Sequence, residues 1–97
     1  MMEKEPSCSY LVRIEGRVQG VWYRRWTEQQ AKKRDLSGWV KNLPDGAVEA
    51  LVSGPESGVR QMLQDFQNGP SAAEVLSVEA RECDPPAKTG FHLIKST

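Results

Sequence analysis

The apolar residues of this chain change period in a set order, and that order limits the available folds more than any other feature. From Ser9 to Glu15 they alternate, with Tyr10, Val12 and Ile14 set against Leu11, Arg13 and Glu15, the two-residue period of a half-buried strand. Tyr23, Thr27 and Ala31 then recur every fourth residue beside Trp26 and Gln30, while Arg25, Glu28, Gln29, Lys32 and Lys33 turn outward. This is an amphipathic helix with its basic residues late, where they complement the dipole. A second strand runs from Leu36 through Trp39 and Val40 to Leu43, and Pro44-Asp45-Gly46 supplies a hairpin turn. The return strand sets Val48, Ala50 and Val52 against Glu49, Leu51 and Ser53, until Gly54-Pro55 breaks it and opens a second helix. Val59, Met62, Leu63 and Phe66 form that helix's core stripe before Asn68-Gly69-Pro70 ends it. Leu76, Val78 and Ala80 alternate in a fourth strand over Glu74 to Cys83, and Phe91 and Leu93 mark a short fifth strand at a sheet edge.

Strand, helix, strand, strand, helix, strand is the split βαβ arrangement, an α+β fold. Strands apolar on one side only put both helices on one sheet face. With both crossovers right-handed and interleaved, the third strand lies between the first and second, and the fourth flanks the first. The 97 residues read as a single domain, 1–97, without a linker or low-complexity tract.

Thirteen basic and thirteen acidic residues cancel. A balanced surface has no broad field for nucleic acid or an anionic membrane, so anion recognition on this chain has to be local. No apolar run approaches the roughly 18 residues of a membrane span, and Met1-Met2-Glu3-Lys4-Glu5-Pro6 lacks the apolar block of a signal peptide. The expected location is the cytoplasm. Cys8 and Cys83 have neither metal-cluster spacing nor company, so no metal is expected. They would stay reduced there, although they begin the first strand and end the fourth, positions that antiparallel pairing sets near each other.

A candidate for a local anion site is the first strand-to-helix junction, Gly16-Arg17-Val18-Gln19-Gly20-Val21-Trp22-Tyr23-Arg24. The first turn of a helix leaves N–H groups unpaired and carries partial positive charge, which suits a phosphate. Gly16 and Gly20 let the backbone approach a ligand and turn successive amides inward, and Arg24 adds a planar two-pronged donor. Taken alone, the same residues fit a tight turn with a solvated arginine equally well. No Gly-Lys-Ser/Thr follows and the third glycine of a dinucleotide fingerprint is missing, which disfavours nucleotides.

If the first two strands are parallel with one strand between them, their carboxyl ends share a sheet edge about 9 to 10 Å apart. Arg24 enters at one end and Asn42 at the other. Before a hairpin an asparagine often bonds its own backbone. Its carboxamide, donor and acceptor at once, could instead fix a water in line with a phosphorus atom held at the loop.

The loop from Gly16 to Arg24, followed by Ala31, Gly38-Trp39-Val40-Lys41-Asn42, Asp45-Gly46, Val48-Glu49 and Gly54-Pro55, closely resembles the acylphosphatases over roughly residues 9 to 95. The resemblance implies a ferredoxin-like open sandwich, βαββαβ. It also implies a small hydrolase that splits a carboxyl-phosphate anhydride into carboxylate and inorganic phosphate without a metal or other cofactor. Carried over by position, Gly16, Arg17, Val18, Gln19, Gly20, Val21 and Trp22 form the phosphate loop, Arg24 binds the phosphoryl group, and Asn42 positions the water. The implied partners are a small acyl phosphate and inorganic phosphate as product and competitive inhibitor, with no nucleic acid, no membrane and a monomeric enzyme. Three positions depart from the family pattern: Tyr23 replaces a phenylalanine, Asp35 stands where the helix commonly ends in glycine, and Phe91-His92-Leu93-Ile94-Lys95 matches the family ending loosely.

Rival readings are a non-catalytic anion-binding module, which leaves Asn42 unexplained, and an interaction domain using its open sheet face. A related domain also begins larger hydrogenase-maturation proteins, and the length of this chain favours the free-standing enzyme. His92, on the edge strand, is read as structural rather than as a general base.

Overall fold

The computed structural model describes residues 5–95, so the reading of Met1 to Lys4 lies outside the described residues. Its elements are β1 (Ser7–Arg17), α1 (Tyr23–Lys33), β2 (Ser37–Asn42), β3 (Val48–Pro55), α2 (Glu56–Phe66), β4 (Glu74–Glu82) and β5 (Phe91–Leu93). The sheet order is β4-β1-β3-β2-β5. β3 runs antiparallel to both β1 and β2, so β1 and β2 point the same way and end at one edge of the sheet. β4 lies antiparallel to β1, and β5 extends the far side of β2 in parallel. This is the ferredoxin-like open sandwich, with the short fifth strand at its edge.

The core fills the space between one sheet face and the two helices. Val12, Ile14, Val40, Val48, Ala50 and Val52 from the sheet meet Tyr23 and Ala31 of α1 and Val59, Met62 and Phe66 of α2. Fully burying a side chain such as Val, Met or Phe stabilises by about 1.5–3 kcal/mol, so the α2 stripe alone holds that helix down. Tyr23, Trp26 and Phe66 form an aromatic seam between the helices, with ring centroids 5.3 Å apart for Tyr23 and Trp26 and 6.4 Å for Tyr23 and Phe66.

Two expectations need correction. Leu76 does not share the core face with Val78. The β1–β4 register shifts between Glu15 and Gly16, leaving Leu76 as the extra residue of a bulge, 78% exposed, while Val75 and Val78 pack on the core. The cysteines do not face each other either: the Cys83 amide donates to the Ser9 carbonyl, so Cys83 stands opposite Ser9 on the open face, and Cys8 packs on the core side. Both thiols are free.

Asp35 adopts the left-handed conformation at φ +59°. The amide of Leu36 returns to the Ala31 carbonyl at 2.9 Å and that of Asp35 to Lys32 at 3.1 Å, the closing bonds of a helix stop that glycine fits best. No helix among the described residues is long and apolar enough to cross a membrane.

Candidate active site

β1 delivers the loop, but it runs further than the alternation predicts, so Gly16 and Arg17 still lie in the sheet, opposite Val75 and Glu74. Gly16 has φ +131°, and a Cβ there would sit 2.2 Å from the Glu74 carbonyl oxygen. Its glycine is therefore demanded by the bulge. Val18 then plunges into the core, which pins the start of the loop.

From Val18 through Arg25, no backbone amide donates to a protein acceptor among the described residues. Gly20 and Trp22 both take φ +72°, and Trp22 is the N-cap of α1 with no side-chain cap. Left-handed residues alternating with ordinary ones turn successive N–H groups toward one concavity. The helix dipole adds its positive end, and the first turn holds no acidic residue to oppose it.

Arg24 lies in that first turn. Its guanidinium donates to the Ile94 carbonyl at 2.9 Å, and the Ile94 amide donates at 2.9 Å to the carbonyl of Val40, two residues before Asn42. The chain of bonds holds Arg24 at the carboxyl end of β2. Asn42 is the last residue of β2, and its Oδ1 is buried without a hydrogen-bond partner. Left without any partner, a buried acceptor costs about 1–3 kcal/mol, and a hydrogen bond from a ligand or a water would remove that cost.

Gln19 joins the two sides. Its Nε2 donates to the carbonyls of Leu43 at 2.8 Å and Ala47 at 2.7 Å, clamping the loop onto the β2–β3 hairpin beside Asn42. The loop, Arg24 and Asn42 thus lie at the same end of the sheet, with no hydrogen bond between the two side chains among the described residues.

The acylphosphatase family model matches residues 10–93. The chain belongs to the acylphosphatase family, a family of hydrolases. The acylphosphatase of Aeromonas salmonicida (strain A449) is 46% identical over 84 residues, covering 87% of this chain and 93% of that protein. The acylphosphatase of Rhizobium meliloti (strain 1021) is 48% identical over 88 residues, covering 88% and 90%. Among solved structures, an acylphosphatase from Coxiella burnetii superposes with a TM-score of 0.87 at 30% identity, covering 91% of this chain and 93% of that one.

Against the acylphosphatase pattern, the departures each have a local account. The Tyr23 hydroxyl finds the Phe66 carbonyl at 2.6 Å, and burial pushes its ionisation well up, so it stays a neutral donor. The loosely matching ending still supplies β5, and through Ile94 it holds the arginine. Sequence reasoning counted Gln19 only as a loop amide and missed its side chain. The available signal was a carboxamide between valine and glycine in a short loop, a residue type that bonds backbone groups on both sides of a gap.

Proposed function

We propose that this acylphosphatase-family protein hydrolyses acyl phosphates by direct attack of water. The phosphoryl group sits on the free amides of the loop from Val18 onward, with Arg24 as its cation. Asn42 Oδ1 accepts a hydrogen bond from a water and aims it at phosphorus, opposite the acyl oxygen. As the new P–O bond forms, the bond to the acyl oxygen breaks and its electron pair leaves with the carboxylate. The water's proton passes to a phosphoryl oxygen. A carboxylate leaves readily, and a loose transition state needs charge neutralisation and alignment more than a strong base. No phosphoenzyme is required.

The observation that carries this reading is the pairing of unsatisfied donors in the loop with an unsatisfied acceptor, Asn42 Oδ1, at the same sheet edge. Donors suit a phosphoryl dianion, and an isolated acceptor suits water. An anion-binding module would need the first and not the second. The reading extends to a cytoplasmic monomer that works without a metal and is inhibited competitively by inorganic phosphate.

The test is hydrolysis of acetyl phosphate with and without a chelator. Turnover that survives chelation and is competitively inhibited by phosphate is expected. A folded protein that binds phosphate without turning over substrate would leave the binding module as the correct reading.

A further inference from the structure

Trp22 is 69% exposed and holds φ +72°, a conformation in which a bulky side chain is an outlier. Gly20, two residues earlier, takes the same φ at no steric cost. A glycine at position 22 would satisfy the backbone equally, and the indole is not buried deeply enough to offset the strain. Strained residues of this kind persist where the side chain has a task.

The surroundings say what the task is. Trp22 lines a surface hollow with Gly20, Arg24, Arg25 and Leu93. With the phosphoryl group held on the loop amides and Arg24, the hollow that borders Arg24 is open to the acyl end of a substrate. Tyr23 lines it too but is buried, which leaves the Trp22 indole and Leu93 as its accessible apolar groups. The neighbouring cation, Arg25, is mostly exposed and faces Glu28 at 3.7 Å. A flat, polarisable ring beside a branched aliphatic side chain favours stacking and apolar contact.

We propose that Trp22 and Leu93 form a subsite for the acyl group that selects acyl phosphates with an aromatic or extended apolar acyl chain. The subsite rests on the reading of the loop as the phosphoryl cradle. Trp22 sets specificity there through its ring, separately from its backbone amide.

The experiment compares kcat/KM for benzoyl phosphate and acetyl phosphate in the full chain and in Trp22→Gly, Trp22→Asn and Trp22→Phe. Glycine and asparagine both tolerate the left-handed conformation, so two ring-free variants are available. Taking the ratio of the two substrates within each variant cancels any general loss at the loop, and comparing that ratio between variants cancels their intrinsic reactivities. The benzoyl-to-acetyl ratio is expected to fall about tenfold in both ring-free variants, through KM for benzoyl phosphate, and to be restored by Trp22→Phe. Turnover with a ratio unmoved by loss of the ring overturns the subsite alone. A wild-type protein that hydrolyses neither substrate overturns the cradle reading and the subsite with it.

Discussion

The Tyr23 hydroxyl donates to the Phe66 carbonyl at 2.6 Å, tying the first turn of α1, where Arg24 sits, to the last turn of α2. The final carbonyls of a helix have no partner within it, so the phenol satisfies a group that would otherwise need water. Tyr23→Phe is expected to fold and to lose about 1 kcal/mol, read as a lower urea midpoint at unchanged slope. An unchanged midpoint would show that the bond contributes nothing net.

Arg24 and Asn42 are expected to fail differently. Arg24→Lys keeps the charge but loses the planar two-point contact, so phosphate inhibition and turnover should both weaken. Arg24→Ala should lose roughly 3 kcal/mol or more of transition-state stabilisation. Asn42→Ala should lower kcat while the inhibition constant for phosphate stays near wild type. If inhibition falls in step with kcat, Asn42 contacts the anion rather than the water.

Gln19→Glu removes the donors that reach Leu43 and Ala47 and puts a carboxylate against two carbonyl oxygens. Phosphate affinity and stability should fall together, by at least as much as in Gln19→Ala, which is expected to cost about 1–2 kcal/mol. Urea unfolding and phosphate inhibition on the same samples check this. A glutamate variant as tight as wild type would mean that the clamp does not shape the loop.

Asp35→Gly is expected to stabilise. It removes a side chain at φ +59° and a negative charge from the carboxyl end of α1. The gain should be about 0.5–1 kcal/mol, a rise of several degrees in Tm for a domain of this size. Calorimetry showing a lower Tm would mean that the carboxylate has a partner in solution worth more than the strain.

Asp45, exposed in the hairpin turn, bonds the Arg13 guanidinium and accepts the Ala47 amide at 3.1 Å; these hold its carboxyl below the usual carboxylate range. A carboxyl whose pKa is lower when folded stabilises the protein above its unfolded pKa, about 3.9, and that contribution is lost as pH falls through the folded value. Asp45→Asn should therefore flatten the acid limb of stability below about pH 4 and leave its shape near neutrality unchanged. Urea midpoints across the acid range measure it, and an equally steep limb in the variant would assign the loss to other carboxyls.

By itself the sequence determined the element order, the parallel setting of β1 and β2, and the place of Arg24 and Asn42 at their ends. Those follow from hydrophobic period and connection rules, which act over a few residues at a time. The limits of that reading are as local. Alternation carried Leu76 onto the core face because a bulge adds one residue to a strand without altering the pattern of residue types, and the steric demand of Gly16 exists only once β4 lies against it. Tertiary structure alone decided the partners of polar side chains: Tyr23 with Phe66, Gln19 with Leu43 and Ala47, Arg24 with Ile94. Each bond spans 24 residues or more of chain. A hydrogen bond needs its two atoms within a few tenths of an ångström of the right separation, and only the packed core sets distances that finely.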